Sequence, residues 1–215
     1  MLDSLLNVFN KDFVRLNKSE ISVDESESDA LVKNFKFVNA DFFSFNKTIL
    51  DKTNELFKNN SIDVSLAQGC DGMILFCCNE KWHLFLVELK SSFSATNINK
   101  AKDQIQTTFP KLMMALTLVQ EMINIDDVAI HGFIVTKPPT SEQKTKIFKK
   151  ARQNRGYCVE QLCERLILKN DTIILKENSI LRKFNLNEQY RFEKMPLHYI
   201  SSEEGSLDVT KYCNQ

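Results

Sequence analysis

An α/β fold, with a central mixed β-sheet flanked by helices on both faces, is predicted for this chain by three observations. Two apolar runs, GMILFCC and WHLFLVEL, lie on either side of a short polar turn. A third run, VAIHGFIVT, is rich in β-branched residues. Segments with a helical spacing of apolar residues precede, separate and follow these runs.

Taken in order, residues 17–34 (NKSEISVDESESDALVKN) are polar and acidic and read as a solvated loop. Residues 42–60 (FFSFNKTILDKTNELFKNN) read as one helix, since Ile49, Leu50, Leu56 and Phe57 keep an approximate helical period and Asn59-Asn60 supply a stop. Strands follow at about 72–78 and 82–89. Residues 100–123 are helical in pattern, with Pro110 either kinking the helix or opening a second one. The strand at 128–136 ends at Lys137-Pro138-Pro139, and Thr140 opens a helix through EQKTKIFKKARQN. A helix near 157–168 and a short strand, TIILK, complete the expected core. The 215 residues make one domain, with its core at about 42–175 and a less regular tail at 176–215.

Bulk composition excludes some functions. Twenty-eight basic residues balance 28 acidic ones, so bulk charge does not drive nucleic-acid binding, although a local basic groove remains open. No apolar run reaches a membrane span, and the N-terminus has an acid at position 3 and no basic leader, so a cytoplasmic protein is expected. The six cysteines, at 70, 77, 78, 158, 163 and 213, match no common metal spacing and are read as reduced thiols, mostly core fillers. The five glycines form no phosphate-binding loop, which argues against ATP hydrolysis. His83, His131 and the phenylalanines at 35, 37, 42, 43 and 45 are assigned to the core.

The first two strands carry the charges of interest. With a turn at Asn79-Glu80, Cys78 faces Lys81 and the pairing carries outward until Asp71 faces Glu88; with the turn one residue later, at Glu80-Lys81, Asp71 faces Lys90 instead. Lys90, two residues on, shares their side of the sheet. Two carboxylates at the rim of an apolar sheet are costly unless compensated. Lys90 compensates in part, and a divalent cation would do more. Magnesium takes one or two carboxylates and keeps several waters, so Asp71 and Glu88 form a suitable bite, with the carbonyl of Leu89 between Glu88 and Lys90. A scissile phosphate would complete the set, with Lys90 positioning the attacking water or taking its proton. The residues therefore point to metal-assisted phosphodiester hydrolysis.

Asp71, sixteen residues, then Glu88-Leu89-Lys90 resembles the signature of the PD-(D/E)xK nuclease superfamily. The resemblance covers roughly residues 45–136 and implies a restriction-endonuclease-like fold. It implies Asp71, Glu88 and Lys90 as catalytic residues and Mg²⁺, or Mn²⁺, as cofactor. Cys70 stands where the signature has proline. Gln104 lies where some members carry a glutamine on the helix after the lysine, and Glu55 where many carry an extra acid, a further candidate ligand.

Lys100, Lys102 and Lys111, with Lys137 and the cluster Lys144, Lys146, Lys149, Lys150, Arg152 and Arg155, are candidates for phosphate contacts. The expected activity is cleavage of DNA, ahead of RNA, in prokaryotic restriction or phage defence, with a homodimer mate or a separate targeting subunit as partner and no membrane association. The alternative is a catalytically inactive nuclease fold serving as a binding module.

Overall fold

The computed structural model describes residues 2–25, 27–57, 66–119, 123–154, 156, 158–168, 172–176 and 186–213. In chain order the elements are α1 (Leu2–Leu5), β1 (Val14–Asn17), β2 (Glu20–Asp24), β3 (Asn34–Val38), β4 (Phe42–Phe45) and α2 (Lys47–Phe57). There follow β5 (Gly72–Cys78), β6 (Lys81–Lys90), α3 (Ala95–Thr117), β7 (Ala129–Thr136), α4 (Ser141–Gln153) and α5 (Val159–Leu168). The chain ends with β8 (Thr172–Leu175), β9 (Met195–Ser201) and β10 (Ser206–Asp208).

Seven strands form a mixed sheet in the order β1-β4-β5-β6-β7-β9-β8. The strands from β1 through β6 pair antiparallel, while β6, β7 and β9 run parallel. The β5–β6 register sets Cys78 opposite Lys81 and Gly72 opposite Val87, as the turn at Asn79-Glu80 predicts. Both turn residues have positive φ, 50° and 64°, the pattern of a type I′ hairpin.

Alternation along these strands divides the core in two. Met73, Leu75, Trp82, Leu84 and Leu86 join the buried residues of all five α-helices on one face. Ile74, Phe76, Phe85, Val87 and Leu89 pack on the other face against a second sheet, β10-β3-β2. The sequence predicts helices on both faces; instead a small sheet and the turn Val209–Tyr212 cover one of them. The expected loop at 17–34 contains β2, whose exposed–buried alternation at Ile21 and Val23 is that of a strand with one wet face. The expected helix at 42–60 begins only at Lys47, because Phe42, Phe43 and Phe45 belong to a strand buried on both sides between β1 and β5. Pro110 sits inside a single 23-residue helix.

Gly72 of β5 lies against Val23 of β2, and an added Cβ there would lie 2.5 Å from Val23 Cγ2. Only a residue without a side chain fits there, immediately after Asp71. The tail also departs from expectation: β9 is inserted between β7 and β8 and pairs parallel to β7. Cys78 and Cys213 form a disulfide, which corrects the reading of all six cysteines as reduced. It fastens the C-terminal turn to the end of β5, and Asn79 Nδ2 donates to the Cys213 carbonyl at 3.2 Å. Tyr212, one residue before, packs edge-on against Phe85, Phe133 and His198. His83 and His131 are buried, as expected. Among the described residues no helix is long and apolar enough to cross a membrane.

Candidate active site

The hairpin register brings the sequence-predicted acids together. Asp71 immediately precedes β5, and Glu88 and Lys90 lie in the last three residues of β6. Asp71 precedes the Gly72–Val87 pair by one residue and Glu88 follows it by one, in the same alternation as Leu84 and Leu86 on the side covered by the helices, and the charge of Asp71 acts on Glu88. Asp71 Oδ2 accepts a 2.9 Å hydrogen bond from the Leu89 amide, which ties the carboxylate to the neighbouring strand. Lys90 Nζ donates to Glu88 Oε1. Sequence reading missed Lys47, at the start of α2, whose ammonium lies 2.7 Å from Asp71 Oδ1. Two carboxylates are thus flanked by two ammonium groups.

Burial distributes these charges unevenly. The Asp71 and Glu88 side chains are 2% and 1% exposed, whereas those of Lys47 and Lys90 are 36% and 14% exposed. Glu88 Oε2 is buried and has no hydrogen-bond partner among the described residues. An unsatisfied buried acceptor costs about 1–3 kcal/mol, and more when charged. Burial, followed by the negative charge of Asp71, pushes the Glu88 carboxyl up to about 8, against the opposing pull of Lys90. Burial likewise raises Asp71, partly offset by Lys47 and the Leu89 amide. Burial works against the Lys47 ammonium, but its hydrogen bond to Asp71 and the surrounding acids outweigh this and raise its pKa.

A polar row on α3 fixes the backbone leading into Asp71. Gln104 Nε2 donates to the Gly69 carbonyl at 3.0 Å, and Thr107 Oγ1 donates to that of Gln68 at 3.1 Å. Thr108 Oγ1 accepts from the Cys70 amide at 2.9 Å. Lys111 Nζ donates to Asn54 Oδ1 at 2.6 Å, to the Leu66 carbonyl at 2.9 Å, and to the Gln68 carbonyl. These four positions are spaced i, i+3, i+4, i+7 and share one helix face. Thr107, Thr108 and Lys111 are buried, so this polar stripe points inward among the apolar residues of the helix. Lys111 is therefore a buried tether and no part of a phosphate-facing surface; burial lowers its pKa to about 8. The amide nitrogen of Gln104 is spent on Gly69, and its Oε1 is buried without a partner among the described residues.

The other candidates are more dispersed. Glu55 is exposed on α2, and among the described residues it makes no ion pair. Lys137 is exposed just past the end of β7, where Thr136 pairs with Lys90. Lys100, Lys144, Lys149, Lys150 and Arg152 are exposed, but Lys150 lies 3.9 Å from Glu160 and Arg152 lies 3.9 Å from Glu164. Lys146 pairs with Glu142, and Lys102 with Asp103. Arg155 lies outside the described residues. Ser91 and Ser92 are engaged within the fold, accepting from the Leu31 amide and from Asn97 Nδ2. Beside Asp71 opens a cleft of about 220 Å³ lined by Arg15, Ser22, Asp24, Ser44, Asn46 and Lys47, among others.

Among the described residues no three His, Cys, Asp or Glu side chains converge as a metal-binding group. The pair Asp71–Glu88 is the smaller set that suits a hard cation retaining its own waters. No family model, curated protein or solved structure matches this chain.

Proposed function

We propose that this protein is a Mg²⁺-dependent nuclease that hydrolyses phosphodiester bonds in DNA, with Mn²⁺ as an effective substitute. The observation that carries the reading is Glu88: a carboxylate buried to 1% exposure, with one oxygen lacking a partner among the described residues, under the charge of a second buried carboxylate, Asp71. Such a group is unfavourable in the absence of a cation and suited to holding one. Asp71 Oδ1 and Glu88 Oε2 are the oxygens that would hold it, with the Leu89 carbonyl between Glu88 and Lys90 as a further donor. The ion, when bound, would supply Lewis acidity toward a phosphate oxygen.

The chain's own residues supply the rest. Lys90 lies against Glu88 with its ammonium partly open, placed to orient the attacking water and to steady negative charge on the phosphate. The α3 row of Gln104, Thr107, Thr108 and Lys111 holds residues 66–70 and so sets where Asp71 enters the site. The order hairpin, helix, parallel strand in β5, β6, α3 and β7 supports assigning the core to the restriction-endonuclease-like fold of the PD-(D/E)xK nucleases. DNA is the proposed substrate and restriction or phage defence the proposed setting, with a second copy or a targeting subunit supplying recognition.

Incubation of the purified protein with duplex DNA, single-stranded DNA and RNA, in Mg²⁺, Mn²⁺ or EDTA, tests the proposal. Cleavage should require the divalent ion and disappear in Asp71→Asn, Glu88→Gln and Lys90→Met, with circular dichroism unchanged. Absence of metal-dependent cleavage on all three substrates would refute it.

A further inference from the structure

We infer that Lys47 is a resident counter-ion that changes partner during the reaction: it neutralises Asp71 before the metal arrives and turns to a substrate phosphate afterwards. The inference rests on reading Asp71 and Glu88 as the cation site. Asp71 Oδ2 is committed to the Leu89 amide at 2.9 Å, so Oδ1 is the oxygen left for a cation. Lys47 Nζ holds that oxygen at 2.7 Å. An incoming divalent ion must share or take Oδ1, and a positive charge one hydrogen bond away opposes its binding.

The displaced ammonium has a destination. The Lys47 side chain is 36% exposed while its partner is 2% exposed, so only the lysine end of the pair reaches solvent. It lines the cleft beside Asp71, together with Arg15, Ser44 and Asn46, all capable of donating hydrogen bonds, and with Ser22, whose hydroxyl donates to Asp24 Oδ1 at 2.9 Å. The Arg15 guanidinium, the Lys47 ammonium, the Ser44 hydroxyl and the Asn46 amide around one small cleft match the oxygens of a nucleic-acid phosphate. The cleft adjoins Asp71 directly, so this phosphate would neighbour the scissile one. Glu25, whose charge acts on both Lys47 and Asp71, would limit how strongly the free ammonium is held elsewhere.

The roles predict opposite effects on two ligands. Lys47→Met should bind Mn²⁺ roughly 30-fold more tightly than wild type, the effect of removing one unit charge about 4 Å from a divalent ion with water-like screening. The same variant should bind duplex DNA more weakly in Ca²⁺, and the slope of log affinity against log salt should shrink by about one phosphate contact. Lys47→Arg should stay near wild type on both measures. Mn²⁺ binding is read by electron paramagnetic resonance, DNA binding by fluorescence anisotropy, and folding of each variant by its urea midpoint. If the wild type binds Mn²⁺ through Asp71 and Glu88 but Lys47→Met binds it no better, or keeps the full salt slope for DNA, the counter-ion role is overturned while the nuclease reading stands. If wild-type protein binds no Mn²⁺, the nuclease reading itself fails and this inference with it.

Discussion

Replacing Glu88 with glutamine should stabilise the metal-free protein while abolishing its response to divalent cations. In the folded chain the Glu88 carboxyl is raised from 4.5 to about 8, first by burial and then by Asp71. The folded state therefore keeps this proton across a range in which the unfolded chain has lost it. Stability consequently falls as pH rises from about 4.5 to about 8, and the loss is complete above the folded value. At 1.36 kcal/mol per pKa unit the full penalty is about 5 kcal/mol, an upper figure because Lys90 loses its ionic partner in the variant. Glutamine is neutral throughout, so a net gain of about 2–4 kcal/mol over wild type is expected at pH 9 in EDTA. Urea unfolding of both proteins at pH 5, 7 and 9, with EDTA and with excess Mg²⁺, measures this directly. The difference between them should widen with pH, and taking it cancels the titration of groups not coupled to Glu88. Added Mg²⁺ should stabilise only the wild type, by mass action. A variant no more stable than wild type at pH 9, or a wild type indifferent to Mg²⁺, would refute the idea that Glu88 is held unfavourably for a cation.

Other consequences concern the scaffold. Lys111→Met strands the Leu66 and Gln68 carbonyls and should cost about 2–4 kcal/mol by urea denaturation, with cleavage falling further than Mn²⁺ affinity because Asp71 loses its approach geometry. Gly72→Ala places a methyl 2.5 Å from Val23 Cγ2 and should cost about 1–3 kcal/mol; adding Val23→Ala should recover part of the loss in a double-mutant cycle. Cys213→Ser opens a disulfide that spans 135 residues and should lower stability by about 2–4 kcal/mol, and dithiothreitol should reproduce the effect in wild type but not in the variant.

The central hairpin is legible in the sequence because its cues agree: two apolar runs and a turn at Asn79-Glu80 together set the register, which in turn places the acids. The strand at 129–136 and the helix capped by Thr140 are legible for similarly local reasons, β-branched content and a capping box. The small sheet is harder to read. Ile21 and Val23 sit among acidic residues, and only pairing with Phe37 and Phe35 on the adjacent strand β3, together with burial against the large sheet, makes a strand of them. Likewise β9 carries Pro196 and His198 and owes its place to a long-range parallel pairing with β7. In the site, Asp71, Glu88 and Lys90 follow from register, whereas Lys47 comes from an element 24 residues earlier that no local pattern connects to Asp71. The inward polar row on α3 did leave a trace: Gln104, Thr107, Thr108 and Lys111 recur at helical spacing, the period ordinarily read as a solvated face.

Anomalous diffraction from crystals soaked in Mn²⁺ tests the shared-cation claim most directly. The account predicts a peak between Asp71 and Glu88, within about 2.0–2.3 Å of a carboxylate oxygen from each, with Lys47 withdrawn from Oδ1 and the peak absent in Glu88→Gln. A map with no peak there, in crystals that are shown to contain Mn²⁺, or a Glu88 still paired only with Lys90 at saturating metal, would contradict it.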